Sequence, residues 1–347
     1  MHFSLEKAKV DYEVVSAFDI NPIANSVYRH NFPSVNVVQR NIEALSLNYY
    51  EKLNADLWTM SPPCQPRGSD DPRSKSFLFL VDLLGKLKNK PSFIVLENVA
   101  GFEKSDSRKL LLTQLVDQGF SYEEYILNPI QFGYPNSRTR YYLIASRDNS
   151  RILKNDLFNP NNCEFLHTID GIDMISPVHS NSVQSLESNV SVSKKIDFEK
   201  SLWKDDFSHQ ISDFLDDLDQ DKFKKYSISQ KLLDSHGYVF DVVMPSSRRS
   251  CCFTKGYYHY NQGTGSVLQI SGTVGVDIQT SENTRYFTEY EIARLLGFPE
   301  KFNFIEKLEP EMLSQNCLVT LKQRYRLLGN SLSVVVVSNL FKHLFLS

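Results

Sequence analysis

A strand-like run that ends in two prolines and a cysteine is the feature that most constrains this chain. The run Ala55–Met60 leads through Pro62 and Pro63 to Cys64. Each proline fixes its own φ angle and lacks the N–H that a sheet ladder needs, so the strand must end here and the thiol is held in place. Open parallel sheets keep their chemistry at the carboxyl edge of their strands. Cys64 is therefore a candidate nucleophile in an α/β fold.

A second apolar run, Phe93–Leu96, is partly β-branched, is typical of a buried strand and stops at Glu97 and Asn98. If both runs are parallel strands, Cys64 and Glu97 lie at one edge of the sheet. A thiolate beside a carboxylic acid suits attack on C6 of cytosine. Glu97 would hydrogen-bond N3 and the 4-amino group, and C5 would then attack an electrophilic methyl group.

Helical and strand-like runs alternate through the first 150 residues, which is typical of βαβ organisation. The patterns predict helices over Asn21–His30, Ser74–Leu87 and Ser107–Gln118, and a strand over Tyr141–Ala145. From Tyr238 to Gln279 the pattern becomes rich in β-formers and glycine. The last stretch, Leu332–Leu346, predicts an apolar helix that packs on the sheet.

The motif Pro-Pro-Cys-Gln followed by Glu-Asn-Val resembles the catalytic pair of the cytosine-5 methyltransferase superfamily. The wider pattern is similar to the branch that methylates cytosine 38 of aspartate transfer RNA. The block Cys252–Tyr257 resembles the signature of that branch. Further blocks follow in family order and cover most of the chain: Phe18–Asn21, Asn41–Glu43, Pro135–Tyr142, Arg285–Thr288, Leu295–Pro299 and Arg324–Ser331.

The resemblance implies a Rossmann-like α/β fold with a smaller target-recognition lobe and S-adenosylmethionine as the cofactor, without a metal. It assigns catalysis to Cys64, Glu97, Asn98, Arg138 and Arg140. It assigns cofactor binding to Asp19, Ile20, Asn41, Ile42, Pro62, Asn330 and Ser331. It assigns contacts with the transfer RNA to Arg248, Lys255 and Tyr257.

Two departures from the family pattern lead to a further expectation. The superfamily has a glycine-rich loop after its first strand, and glycine is needed there because the backbone approaches the ligand closely. This chain begins at Met1-His2-Phe3, and the loop that follows Gln65 is short. We therefore expect the sheet to lack its first strand and the catalytic loop to be incomplete, as in an alternative or damaged gene product with impaired activity.

Each of these residues also has a simpler interpretation. Cysteine is more often a buried small apolar residue than a nucleophile, and an aspartate such as Asp19 often caps the helix that follows it. Arg138 and Arg140 could form an exposed basic edge. Asn330 could end a helix after Gly329. Lys255 and Tyr257 could serve packing or solubility alone.

Composition indicates one catalytic unit with an inserted lobe. With 347 residues, of which 41% are hydrophobic and 23% charged, the chain can bury a large core. The shift in composition near Arg151 predicts a catalytic domain over 1–151, a recognition lobe over 152–317 with a mobile connector near 178–194, and a return over 318–347. No apolar run predicts a membrane span or a signal sequence. We expect a cytoplasmic protein, with the nucleus as a second location.

The charge and the cysteines leave several functions open. The net charge of −3 gives no general attraction to nucleic acid, so binding of RNA needs local basic patches such as Arg248-Arg249, Lys255, and Lys322, Arg324 and Arg326. Five cysteines without a Cys-x-x-Cys pattern indicate neither a disulfide framework nor a zinc site. The alternatives are a DNA cytosine-5 methyltransferase and a non-catalytic nucleic-acid-binding isoform. The oligomeric state stays open.

Overall fold

A computed structural model describes residues 1–63, 74–148, 165–174, 208–272, 279–305 and 319–346. Cys64, the short loop that follows it and the predicted connector near 178–194 lie outside these ranges. Both predicted domain boundaries, at 151/152 and 317/318, also lie outside them.

The described residues form nine strands and ten α-helices. The strands are β1 (Ala17–Phe18), β2 (Val37–Val38), β3 (Leu57–Met60), β4 (Phe93–Val99), β5 (Ser121–Leu127), β6 (Arg140–Ser146), β7 (Asp241–Val243), β8 (Ser266–Gln269) and β9 (Thr284–Tyr286). The helices are α1 (His2–Ala8), α2 (Pro22–Asn31), α3 (Leu47–Leu53), α4 (Lys75–Lys86), α5 (Asp106–Asp117), α6 (Gln220–Tyr226), α7 (Gln230–His236), α8 (Glu289–Leu295), α9 (Leu321–Gly329) and α10 (Val334–Leu346). Short 3₁₀ turns cover Ile42–Ala44, Phe102–Lys104, Pro129–Phe132, Ile211–Phe214 and Gly237–Val239.

The largest sheet has the strand order β3-β4-β6-β5. β3 and β4 are parallel neighbours with Met60 opposite Leu96, whereas β6 is antiparallel to both β4 and β5. Both faces of β4 are covered. Leu96 packs with α4 and α5 on one face, and Val95 packs with α1 and α10 on the other. Continuous burial explains why β4 is apolar without alternation.

The predicted elements of this region are confirmed with one correction. α2, α4 and α5 each fall within two residues of their predicted bounds, and β6 contains the predicted Tyr141–Ala145. β4 does not stop at Leu96 as predicted, because its pairing with β6 continues through Glu97 to Val99. Glu97 therefore belongs to the ladder, where it pairs with Tyr142 of β6.

β1 and β2 pair only with each other, in parallel, through Ala17–Val37 and Phe18–Val38. Their four residues are half-buried, and so are all four residues of β3. Among the described residues no strand pairs the β1-β2 sheet with β3. The α/β layer is therefore divided into a two-stranded and a four-stranded sheet.

A third sheet, β7-β8-β9, belongs to the region predicted as the recognition lobe. Its core includes Phe253, Tyr257, Val267 and Phe287, and the same cluster continues into α8 and α9. This second core joins the lobe to the helices that precede the C-terminus.

The C-terminal stretch Leu321–Leu346 is long and apolar enough to cross a membrane, although sequence patterns alone indicated no such span. It is interrupted at Asn330, where α9 ends and the chain turns into α10. Most of it is buried inside the protein, and α10 packs on α1 and the large sheet. The packing explains its apolar composition as that of a core helix.

Candidate active site

Glu97 lies in a buried ionic cluster where β4 and β6 meet. The residue is 8% exposed, and its Oε1 is 3.6 Å from Nε of Arg140. Burial raises the pKa of Glu97, and the charges of Arg138 and Arg140 only partly oppose that shift. A carboxyl group whose pKa is raised in this way can hold a proton and donate it to a ligand.

Arg138 connects three segments that are far apart in sequence. Its Nη1 donates to Sγ of Cys252 at 3.3 Å and to the carbonyl of Phe253 at 3.1 Å. Its Nη2 donates to the carbonyl of Gly329 at 3.2 Å and to that of Ser331. The side chain is 3% exposed, so the alternative of an exposed basic edge is wrong for Arg138.

Arg140 shares the sulfur of Cys252 with Arg138 and also faces Glu97. Its Nη2 lies 3.7 Å from Sγ of Cys252, and its Nη1 donates to the carbonyl of Thr139 at 2.7 Å. Burial opposes the charged form, but Cys252 and Glu97 favour it, and the pKa of Arg140 is raised overall. Cys252 was not predicted as a site residue. Its Sγ contacts both guanidinium groups.

Tyr142 is a second polar residue that sequence reasoning did not assign to the site. It pairs directly with Glu97 across the ladder, and its hydroxyl is buried without a hydrogen-bond partner among the described residues. Burial and then the charge of Glu97 raise the pKa of Tyr142. Side chains alternate between the two faces of a strand, so Arg140 and Tyr142, which are two residues apart, lie on the same face. This spacing could have identified Tyr142 as a site residue from the sequence.

Asn98 fixes the end of β3 relative to β4. Its Nδ2 donates to the carbonyl of Pro62 at 3.3 Å, and its Oδ1 accepts from the N–H of Val99 at 2.8 Å. Two parallel neighbours thus bring Glu97 and the segment that leads to Cys64 to the same edge, as predicted. Cys64 itself lies outside the described residues.

The predicted cofactor residues follow β1 and β2, at the edge where those parallel strands end. Asp19 and Ile20 come after β1, and Asn41 begins the 3₁₀ turn Ile42–Ala44 after β2. The alternative that Asp19 caps α2 is wrong. Asn21 is the cap, since its Oδ1 accepts from the N–H of Ile23 at 3.0 Å. Asp19 instead accepts from the N–H of Asn21 at 2.8 Å through one oxygen.

These groups fit the nucleoside end of a cofactor. Asp19 is exposed and keeps acceptor capacity for hydroxyl groups, and the neighbouring Ile20 presents an apolar side chain that is 69% exposed. Asn330 is the C-cap of α9, as its simpler interpretation predicted, and the carbonyl of Ser331 already accepts from Arg138. Residues 1–63 contain no glycine, so this part of the chain has no glycine cradle for the methionine end.

The three residues predicted to contact a polynucleotide differ in exposure. Lys255 is exposed, whereas Arg248 is half-buried and donates to the carbonyl of Ser208. Tyr257 is buried, donates to the carbonyl of Ser266 at 2.8 Å and accepts from the N–H of Phe287 at 2.9 Å. The prediction of direct contact is therefore wrong for Tyr257, because its polar atom is satisfied inside the lobe. Among the described residues no cluster of metal-binding side chains occurs.

The sequence matches the C-5 cytosine-specific DNA methylase family over residues 1–346. The chain belongs to the C-5 cytosine methyltransferase family. The tRNA (cytosine(38)-C(5))-methyltransferase of Mus musculus is 38% identical over 384 residues, which cover 98% of this chain and 89% of the mouse protein. The DNA (cytosine-5)-methyltransferase of Dictyostelium discoideum is 36% identical over 362 residues, which cover 99% of this chain and 90% of that relative.

Solved structures of the C-5 cytosine methyltransferase family confirm the fold. The crystal structure of the S. pombe Dnmt2 methyltransferase superposes with a TM-score of 0.73 at 32% identity, over 99% of this chain and 94% of that one. The predicted α/β methyltransferase fold is therefore correct, with β1 and β2 forming a sheet of their own beside the four-stranded sheet order β3-β4-β6-β5. The predicted family is confirmed as well.

Proposed function

We propose that this chain transfers a methyl group from S-adenosylmethionine to C5 of cytosine 38 in the anticodon loop of aspartate transfer RNA, through a covalent adduct with Cys64. One observation carries the proposal. A buried carboxyl group with a raised pKa, Glu97, lies on the strand next to and parallel with the one that leads into Pro62-Pro63-Cys64. The mouse, human and S. pombe relatives are tRNA (cytosine(38)-C(5))-methyltransferases, which supports cytosine 38 of transfer RNA as the target.

The protein groups act on the cytosine in a fixed order. The Cys64 thiolate forms a bond to C6, and the electron pair of the C5–C6 double bond moves towards C5 and N3. Glu97 donates its proton to N3, which keeps the ring neutral, and C5 becomes nucleophilic. After methylation C5 loses its proton to water, and the C6–sulfur bond breaks with its electron pair returning to sulfur as the thiolate. Glu97 then takes back the proton from N3, which leaves neutral 5-methylcytosine and restores the carboxyl group. Arg140 holds the carboxyl group in place and faces the base.

When bound, S-adenosylmethionine supplies an electrophilic methyl group. Asp19 would accept hydrogen bonds from its ribose hydroxyls, and Ile20 and Ile42 would cover its adenine ring. Asn41 would hold the turn after β2 through its bond to the N–H of Glu43, which measures 3.2 Å. Pro62 would border the reacting end of the site. A target base that is stacked in the loop must first turn outward, at a cost of a few kcal/mol.

Trapping of the covalent adduct tests the proposal. A transfer RNA transcript with 5-fluorocytosine at position 38 cannot lose its C5 substituent as a proton, so the adduct should survive denaturing electrophoresis. We expect an adduct with the unmodified chain, none with Cys64→Ser, and an unchanged yield with the matched control Cys163→Ser. An adduct that persists in Cys64→Ser contradicts the assigned nucleophile.

Duplex DNA is a second candidate substrate, because the Dictyostelium relative carries the name of a DNA methyltransferase. Labelling of transfer RNA and duplex DNA with tritiated S-adenosylmethionine in parallel distinguishes the two. The proposal predicts label in transfer RNA. Label in the duplex alone would favour the DNA activity.

A non-catalytic RNA-binding role is the third candidate, favoured by the divided sheet and the absence of glycine from residues 1–63. It predicts that transfer RNA binds with equal affinity to the unmodified chain and to Cys64→Ala, while neither chain transfers a methyl group. Calorimetry with S-adenosylhomocysteine separates this role from catalysis, since a binder without a cofactor site releases no heat.

A further inference from the structure

The aromatic turn Tyr258-His259-Tyr260 is exposed and follows Phe253, whose carbonyl accepts from Arg138. Tyr260 is 63% exposed and Tyr258 is 41% exposed. Neither tyrosine hydroxyl forms a hydrogen bond with the residues that the structure describes. Large aromatic rings are normally buried or have their polar end satisfied. Two exposed tyrosine rings in one short turn therefore indicate a surface that binds a planar ligand by stacking.

The backbone of this turn is strained at Tyr258. Its φ angle is +68°, in the left-handed region that bulky residues rarely adopt. The turn is held there because the N–H groups of His259 and Tyr260 both donate to the carbonyl of Gly256 at 3.0 Å. The Tyr258 ring rests edge-on against Tyr286, with ring centroids 4.9 Å apart. Strain of this kind persists where the surroundings fix it, and it is common at functional sites.

The turn follows the segment that contacts the buried Arg138. Phe253, whose carbonyl accepts from Arg138, precedes Tyr258 by five residues, so at most about 18 Å of chain separates them. The backbone of Thr254 and Lys255 lies directly against Gly329, whose own carbonyl also accepts from Arg138. An RNA loop whose base reaches Glu97 therefore passes within reach of this aromatic turn.

The surface around the turn is basic. Lys255 is exposed at its start, and Lys322 and Arg326 are exposed one helical turn apart on α9, which contributes the neighbouring Tyr325. None of the three forms an ion pair with another described residue. Arg324 differs, because Glu289 binds its guanidinium at 2.7 Å. Unpaired cations beside exposed rings match single-stranded RNA, whose phosphates need charge and whose bases need stacking partners.

We infer that Tyr258 and Tyr260 form a stacking platform for an unpaired base that flanks the flipped cytosine in the RNA loop. This inference rests on the proposed function. When the target cytosine leaves the base stack of the RNA loop, the neighbouring base loses its stacking partner. The ring of Tyr258 or Tyr260 then takes the place of the cytosine against that base. Neither residue touches the reacting atoms, so the platform positions the RNA and determines its affinity.

A set of matched variants tests the platform: Tyr258→Gly, Tyr260→Ala, the conservative Tyr258→Phe and Tyr260→Phe, and Tyr238→Ala as an exposed control elsewhere in the lobe. Glycine suits the φ angle at position 258, so Tyr258→Gly removes the ring without added backbone strain. Two readouts are needed. One is the kcat and KM of methyl transfer to a transfer RNA transcript. The other is binding to an anticodon stem–loop with 2-aminopurine beside cytosine 38, whose fluorescence falls on stacking.

We expect Tyr258→Gly and Tyr260→Ala to raise KM and Kd by about 5- to 100-fold, the range of one base–aromatic stack. kcat should stay unchanged, the fluorescence quench should be lost, and the phenylalanine variants should behave like the unmodified chain. Unchanged KM and quench in both ring-deletion variants of an active enzyme would overturn the inference and leave the proposed function intact. RNA binding with a Tyr260-dependent quench but no methyl transfer would support the platform and reject the proposed function.

Discussion

The two sheets of the α/β layer differ in how firmly they hold the candidate site. The large sheet carries the catalytic residues, and the small sheet precedes the residues assigned to the cofactor. On the large sheet, seven residue pairs join β4 to β6, and these paired strands carry Glu97, Arg140 and Tyr142. On the small sheet, two residue pairs join β1 to β2, and the groups that follow these strands, Asp19 and Ile20, are exposed. The residues assigned to proton transfer are therefore fixed by packing. The residues assigned to the nucleoside end of the cofactor are held by only a few local hydrogen bonds.

This difference has a consequence for substitutions. A buried charged group is tied to stability as well as to activity, because removal of one partner leaves another uncompensated. An exposed group at a strand end contributes to ligand affinity with little effect on folding. We therefore expect substitutions on the large sheet to affect turnover or unfolding, and substitutions on the small sheet to affect cofactor affinity alone.

The largest effect is expected for Glu97→Gln. The amide keeps the size of the side chain but cannot give up a proton, so kcat should fall about 10²- to 10⁴-fold, the usual contribution of a positioned acid. Stability should change little, because burial already favours the uncharged form of Glu97. Initial rates at saturating transfer RNA and cofactor measure the effect. Glu13→Gln, at an exposed position, is the control, and a kcat of Glu97→Gln within threefold of the unmodified value contradicts the assigned role.

The next effect concerns stability and comes from Arg138→Met. The substitution leaves the carbonyls of Phe253, Gly329 and Ser331 without this donor. Each buried acceptor left unsatisfied costs about 1 to 3 kcal/mol, so the loss of this donor from three carbonyls should lower the free energy of unfolding by about 3 to 9 kcal/mol. Urea titration followed by circular dichroism measures it. Arg29→Met removes one exposed hydrogen bond, to the carbonyl of Val37, and should cost less than about 1 kcal/mol. Equal losses in both variants would remove the contrast between buried and exposed arginines.

On the small sheet, Asp19→Asn should lower cofactor affinity without unfolding the protein. Asparagine keeps the oxygen that accepts from the N–H of Asn21 but loses the charge that strengthens bonds to ribose hydroxyls. A hydrogen bond to a charged group contributes about 1.5 to 3 kcal/mol, so affinity for S-adenosylhomocysteine should fall about 10- to 100-fold. Calorimetry measures this change, with the exposed Asp11→Asn as the control. Cofactor affinity that is unchanged in Asp19→Asn would show that the small sheet is not its site.

Sequence reasoning predicted the elements of the large sheet because burial leaves a local signature. The apolar run of β4 and the amphipathic stripe of α4 each reflect packing against many neighbours. The partners of Arg138 lie more than 110 residues away, and no periodicity encodes such contacts. Asp216 is another example, since it accepts from Thr288 at 2.6 Å and pairs with Arg294, both more than 70 residues away. Site residues were thus predictable from motifs, but their partners depended on the tertiary fold.

The smallest predicted effect is a pH dependence of folding stability that comes from one ionic contact on the large sheet. His343 on α10 binds Glu123 on β5 at 3.0 Å, and Tyr125 also donates to that carboxylate. The hydrogen bond to Glu123 raises the pKa of His343 above 6.5 against the opposing effect of burial, and Asp170 adds to the rise. A raised folded-state pKa stabilises the protein fully below pH 6.5, and this contribution is lost as the pH rises through the folded value.

The urea midpoint of the unmodified chain should therefore decrease as the pH is raised from 6 to above the folded pKa, and this decrease should be smaller in His343→Gln. Glutamine keeps a hydrogen-bond donor near Glu123 but cannot bind a proton, so the change isolates the charge. His30→Gln, at an exposed position of α2, provides the control on the small-sheet side and should keep the full pH dependence. The same slope in all three proteins would mean that the ionic contact between α10 and β5 does not determine the stability of the large sheet in this pH range.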